Sequence, residues 1–322
     1  MMKKFFLIAL YLTVFVLFSG CTKPPVAVVE PEVNVPKLKV YTSFYPLYDF
    51  AGKIGGERIE LVNMVPAGIE PHDWEPGPQK IAGLLQADVF FFNGLGLEPW
   101  VNKIVESLEA QTLLVVNTSD GIVPSYGYSH EHDDDDDDHD DDDDDHNDLP
   151  DPHVWLDPLL ALHQAEGILD AFITLDPDHA DYYQDNFEQF REQIEILDMA
   201  YSAALANINQ HKFIVTHLSF AYLAQRYGLE QIGISGLSPH SEPSPGQLKD
   251  VVDFARRHEI KHVFQEPLTD TRFAQVLAAE IGAEVLTLNP LEGLTEKEQA
   301  DGIDYFSVMH NNLEQLKKAL AE

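Results

Sequence analysis

The chain has 322 residues, 44% of them apolar, and a formal net charge of −35. That length and apolar content suffice for one large or two modest packed domains. The charge excludes nucleic acid and anionic lipid headgroups as electrostatically held partners, because both would repel it.

Lys3 and Lys4 precede an apolar run, Phe5–Phe18, that is too short to span a bilayer, and Ser19-Gly20-Cys21 follows. This is the layout of an export signal over residues 1–20. Cys21 is the sole cysteine, so no intrachain disulfide can form. Its place directly after the signal resembles a bacterial lipoprotein site, where the thiol is acylated, although Phe18 stands where Leu is usual. The mature chain is therefore expected outside the cytoplasm, in the periplasm or on the cell surface, held by a lipid anchor. Residues 21–37, rich in Pro and Val, read as a tether.

From residue 38 strands and helices alternate. Leu38–Phe44, Ile59–Val65, Asp88–Asn93 and Thr112–Asn117 read as strands, with helices at Pro46–Ile54, Gln79–Gln86 and Pro99–Leu108. Asp88–Asn93 (DVFFFN) is nearly devoid of polar residues, as a strand of a parallel sheet buried on both faces requires. A helix at Pro158–Leu175 follows. Asp181–Ile208 then runs without Gly or Pro, with apolar residues at helical spacing, and predicts a rod of roughly 40 Å. A second alternation has strands Lys212–Thr216, Gln231–Ile234, His262–Gln265 and Glu284–Leu288. Its helices are Ser219–Tyr227, Pro245–Glu259, Asp270–Ile281 and Tyr305–Ala321. The expected architecture is α/β: a lobe over 38–178, a linking helix over 181–208 and a second lobe over 209–322. Ligands of such sheets bind at the carboxyl ends of the strands.

Residues 126–149 interrupt the first lobe. Within 130–148 lie fourteen acids and no Lys or Arg; without them 41 acids face 20 bases, a net of −21. Such a run cannot form a core. It reads as a solvated spacer, or, through His130, His132, His139 and His146, as a weak, non-stoichiometric collector of divalent cations.

Three histidines stand out by position. His72 follows the second strand within Pro-His-Asp-Trp-Glu-Pro. His153 lies between the Asp-Pro pairs of LPDPHVWLDP (149–158), where proline stiffens the backbone. His217 sits at the carboxyl tip of a strand in the second lobe. A cleft between the lobes would bring the three together, and neutral imidazoles on a rigid frame suit zinc. His240, on a Pro-rich loop, approaches the cleft rim at most. His163, His179, His211, His258, His262 and His310 read as surface or structural residues.

Several stretches together resemble the zinc- and manganese-specific solute-binding protein family of bacterial ABC importers, and its zinc-receptor branch in particular. They are GIEPHDWEPGPQKI (68–81), ADVFFFNGLGLEPWV (87–101), DPHVWLDP (151–158), THLSFAYLAQRYGL (216–229), SPHSEPSPGQL (238–248), FQEPL (264–268) and DYFSVMHNNLEQL (304–316). The resemblance implies two α/β lobes bridged by a rigid helix, with the metal between them. It maps metal ligands onto His72, His153 and His217. His rather than Glu at 217 favours Zn2+ over Mn2+, as ligand softness does independently. For the fourth ligand the resemblance points to the C-terminal segment, where Ile303 occupies the aligned position. The candidates for the fourth place are Asp304 or Asp301 in that segment, and otherwise water or Glu70. Glu266 is expected to orient an imidazole or to form a strand-end salt bridge. Zinc-type members place a His-rich loop before the second ligand; this one is Asp-rich instead.

The resemblance thus implies a monomeric receptor, not an enzyme, that passes zinc to a membrane permease and its cytoplasmic ATPase. Its affinity is expected to collapse below about pH 6.5 as the imidazoles protonate. A manganese receptor of the same family is an alternative. A secreted zinc hydrolase, with Glu70 or Glu266 as base, is another, but no His-Glu-x-x-His helix supports it. A surface adhesin or calcium-loaded anchor built on the Asp run is a third.

Overall fold

The run Val-Phe-Phe-Phe at 89–92 offers water no polar face, and it forms an inner strand of a sheet. A computed structural model describes residues 36–109, 112–126 and 149–321. The export signal, Cys21, nearly all of the tether and the loop histidines His130, His132, His139 and His146 lie outside the described residues. β1 (Leu38–Thr42), β2 (Ile59–Asn63), β3 (Val89–Phe92) and β4 (Leu114–Asn117) make a parallel sheet in the order β2-β1-β3-β4. β5 (Lys212–Val215), β6 (Glu230–Gly233), β7 (His262–Gln265) and β8 (Glu284–Thr287) repeat that plan as β6-β5-β7-β8. The expected α/β class with two parallel sheets is borne out. Each sheet reverses its winding beside its first strand, and crevices for ligands open at such points.

The helices of the first half are α1 (Tyr45–Gly55), α2 (Pro78–Leu84), α3 (Pro99–Glu109) and α4 (Pro158–Leu175). α4 starts where its sequence says it should: Pro158 takes the first turn, and the Asp157 carboxylate accepts the N–H groups of Leu159 and Leu160. The 26-residue α5 (Ala180–Leu205) then carries the chain to the second sheet over about 39 Å. α6 (Ala221–Tyr227), α7 (Pro245–Arg257), α8 (Arg272–Ile281), the short α9 (Glu296–Ala300) and α10 (Tyr305–Leu320) complete the second half.

α5 buries one stripe: Tyr183, Phe187, Phe190, Ile194, Leu197, Tyr201 and Leu205. At roughly 1.5–3 kcal/mol per large apolar side chain, this amounts to about 10–20 kcal/mol as an upper figure. α10 packs against it, with the Tyr201 hydroxyl donating to the Met309 carbonyl at 2.8 Å. One core of buried side chains runs from β1 and β3 through α5 to β5 and α10. A motion that peeled α5 away would forfeit that burial. No helix among the described residues is long and apolar enough to cross a membrane.

Several ends differ from expectation. β1 stops at Thr42, before Phe44, because the Ser43 N–H turns to the Phe91 carbonyl and Phe44 becomes the N-cap of α1. α9 was not expected, although Thr295-x-x-Glu298 is a complete capping box. The stretch around His153 holds a single 3-10 turn, Val154–Leu156. Tyr126 and Pro150 form an antiparallel bridge, so the two ends of the acidic segment are pinned together at its base.

Candidate metal centre

Each expected imidazole is held by a different strand end. His72 lies in the turn after β2, with its N–H donating to Glu70 Oε1 at 2.9 Å. That turn is tied across the molecule by the Gly68 N–H, which donates to the Leu294 carbonyl.

His153 is fixed from two sides. Its own N–H donates to Asp151 Oδ1 at 2.8 Å, and its Nδ1 lies 2.7 Å from the same oxygen. On the other side, Asn93 Nδ2 donates to the Pro152 carbonyl at 2.8 Å. Asn93 follows β3 and is itself set by Gln164 and by the buried Glu98, which accepts the Asn93 and Gly94 N–H groups and the Ser43 hydroxyl. Burial pushes the Glu98 carboxyl up to about 7. Gly94 has a φ of 83°, and a Cβ there would meet Asn117 Oδ1 at 2.4 Å, so only glycine permits this turn.

His217 follows β5. Its Nδ1 lies 2.6 Å from Glu266 Oε2, and Glu266, at the end of adjacent β7, also accepts from the Thr216 hydroxyl. A carboxylate only accepts, so Asp151 and Glu266 hold the proton on Nδ1 and leave Nε2 of each neutral ring free to bind a cation.

The fourth member of the cluster is Glu292, which the sequence-based expectation lacks. It sits in the loop after β8, beyond Leu291, whose φ of 59° is rare for a branched residue. Asn289 takes the Leu291 N–H and is clamped by Asn312 of α10, while the Trp155 indole donates to the Pro290 carbonyl at 2.7 Å. The His153 segment and the Glu292 loop are thus bonded to each other.

Glu292 Oε1 lies 3.3 Å from His72 Nε2, 3.2 Å from His153 Nε2 and 3.1 Å from His217 Nε2. The His72 and His153 Nε2 atoms are 3.2 Å apart, and those of His153 and His217 are 3.4 Å apart. All four ligand atoms lie within 4.8 Å of one another. Donors 2.0–2.1 Å from a tetrahedral zinc stand about 3.3–3.4 Å apart. The spacing therefore fits one ion. His153, His217 and Glu292 are buried, His72 alone of the four is partly exposed, and Glu292 Oε2 has no hydrogen-bond partner among the described residues.

The electrostatics suit a cation. Burial alone would make the His217 ring less basic, but the charges of Glu266 and Glu292 overcome it and hold the ring well above its ordinary value. His153 is raised too, burial again being outweighed, here by Asp151 and by the Glu292 hydrogen bond. Burial would raise Glu292, yet the charge of His217 and bonds from the three rings hold its carboxyl well below the usual range.

The other expected carboxylates lie elsewhere. Asp304 caps α10 through the Ser307 N–H and pairs with Lys53, and Asp301 pairs with Lys297. Glu266 stands behind His217, on the side away from the shared atoms. Glu70 Oε1 is 3.9 Å from His72 Nε2, and its other oxygen meets His240. Among the histidines set aside, His163, His179 and His211 have partners of their own: Asp120, Asp176 and Gly228. Asp151→Asn and Glu266→Gln should each weaken zinc binding roughly 10–100-fold by loosening a ring and lowering its basicity, as chelator competition would measure.

The chain matches the family model of the periplasmic zinc-uptake complex component A, ZnuA, over residues 40–319. It is 39% identical over 284 residues to the high-affinity zinc uptake system protein ZnuA of Bacillus subtilis (strain 168), covering 88% of each. It is 35% identical over 286 residues to the zinc-binding protein AdcA of Streptococcus pyogenes, covering 87% of this chain and 56% of AdcA. Of solved structures, the Zn(II)-bound ZnuA-like domain of Streptococcus pneumoniae AdcA aligns with a TM-score of 0.74 at 31% identity, covering 89% of this chain and 100% of that domain. With this match over most of its length, and the same α/β fold, the chain belongs to the ZnuA family of zinc-uptake components.

Proposed function

We propose that this chain is the extracytoplasmic zinc receptor of an ABC importer. It takes up one Zn2+ on His72, His153, His217 and Glu292 and hands it to a membrane permease driven by a cytoplasmic ATPase. Residues 38–178 and 209–322 act as the two jaws, α5 as the strut between them, and Cys21 as the lipid attachment. One observation carries this reading: four protein ligand atoms converge within 4.8 Å of one another, and five of their six separations are 3.1–3.4 Å, close to the edge of a single zinc tetrahedron. Three imidazoles and one carboxylate favour Zn2+ over Mn2+, which prefers oxygen-rich, six-coordinate sites. A catalytic zinc site keeps one position for water or substrate, whereas here protein donors fill all four, which speaks against a hydrolase.

Calorimetric titration of the mature chain, with and without residues 127–148, tests the proposal. The expected result is one zinc per chain in both forms, with manganese bound far more weakly. A site that vanishes with the acidic segment would replace the receptor by a loop-based cation binder.

A further inference from the structure

A sealed tetrahedral site raises the question of how a hydrated ion enters it. His153, His217 and Glu292 are shut off from water, and His72 is the one member of the cluster in contact with solvent, its side chain 11% exposed. Entry therefore passes His72. Outside it stand three more side chains of types that can ligate a metal. His240, from the loop between β6 and α7, places Nε2 3.0 Å from Glu70 Oε2 and 3.9 Å from Asp73 Oδ2. Glu70 and Asp73 flank His72 on the facing loop. Exposure falls along the series: Asp73 72%, His240 53%, Glu70 7%. Glu70 joins the two groups, with Oε2 on His240 and Oε1 3.9 Å from His72 Nε2.

We propose that His240 and Glu70, assisted by Asp73, form an outer station where Zn2+ is held transiently and exchanges water before Glu70 passes it to His72. The inference rests on the zinc-receptor reading. Stripping a zinc ion of all its water in one step is costly, because hydration of a small dication is strong. A carboxylate and an imidazole at the mouth replace water molecules one at a time. Glu70 reaches both sides, so the ion need never be without a ligand. His240 takes no part in the final tetrahedron, and its contribution is to rate.

The same contact could instead be a latch that ties the two loops together, and kinetics separate the two roles. A station lowers the barrier in both directions and leaves the equilibrium alone; a latch slows escape only. Stopped-flow mixing of the mature chain with Zn2+ alone follows binding through tryptophan fluorescence, since the Trp155 ring centroid is 5.3 Å from that of His153. A chelator chase gives the release rate. For His240→Ala, association and release should both fall at least tenfold, with Kd within twofold of the parent. His240→Glu, which restores a ligand, should recover both rates. Rates within twofold of the parent, or a change confined to one of them, would overturn the station while leaving the receptor reading intact. Absence of stoichiometric zinc binding by the unaltered chain would instead remove that reading itself.

Discussion

Glu292→Ala should weaken zinc binding about a hundred- to a thousandfold, while Asp304→Ala and Asp301→Ala leave it within twofold. A complete four-ligand zinc site is worth roughly 10–16 kcal/mol, so each ligand carries on the order of 3–4 kcal/mol, or two to three decades in Kd. Among the described residues, Glu292 is the only carboxylate with an oxygen within 3.3 Å of all three Nε2 atoms. Water entering the vacated position restores a donor but not the negative charge. Glu292→Gln keeps the shape and loses the charge, and should fall between the parent and the alanine variant. Asp304→Ala is expected to lower stability by about 1 kcal/mol through loss of the α10 cap. Titration against a calibrated chelator separates the cases, and a loss for Asp304→Ala equal to that for Glu292→Ala would return the fourth ligand to the C-terminal segment.

The contrast between Glu292 and Asp304 shows where a sequence is informative. The alternation of strands and helices is legible because burial imposes a period on local residues. VFFF at 89–92 has only one way to hide its side chains, and the α5 stripe repeats at helical spacing. The three imidazoles are legible for a related reason: His72 and His217 follow strands whose carboxyl ends face a ligand crevice, and His153 stands on backbone stiffened by Asp-Pro pairs. Glu292 obeys the same rule after β8, between Pro290 and Gly293, yet nothing local separates it from the other acids of a chain with 55 of them. Its place at the cluster depends on contacts remote in sequence: Trp155 on Pro290, Asn312 on Asn289, and β8 beside β7. Asp304, by contrast, carried a local warning. An Asp three residues before Ser307, at the start of an apolar-periodic run, has the signature of a helix N-cap, and capping occupies its carboxylate. The outer contact between His240 and Glu70, 170 residues apart, was illegible for the same reason as Glu292.

Zinc affinity should fall steeply on acidification, beginning above the pH of about 6.5 expected of an ordinary imidazole. The sign follows from the two buried rings. Burial disfavours their charged forms, but the carboxylates around them prevail and raise both His217 and His153. The empty cluster thus retains imidazole protons near neutrality, while Glu292, shifted down, stays ionised. Zinc requires the Nε2 lone pairs, so it must displace those protons. Binding is then strongest above the raised imidazole values and is lost as pH falls through them. Each displaced proton costs up to about tenfold per pH unit, and two together up to about a hundredfold. Exchange of two protons for one Zn2+ also leaves the buried charge unchanged, which spares the interior an uncompensated ion. Calorimetry at pH 6.5 in buffers of different ionisation enthalpy should count about two protons released per zinc. Kd should rise at least a hundredfold from pH 8 to pH 6. Glu266→Gln removes the carboxylate that most strongly raises His217, so the onset should move to lower pH even as the affinity at pH 8 drops. A Kd flat across that range, or release of less than one proton, would mean that the rings stand neutral in the empty cluster and that the carboxylates around them do not hold them charged.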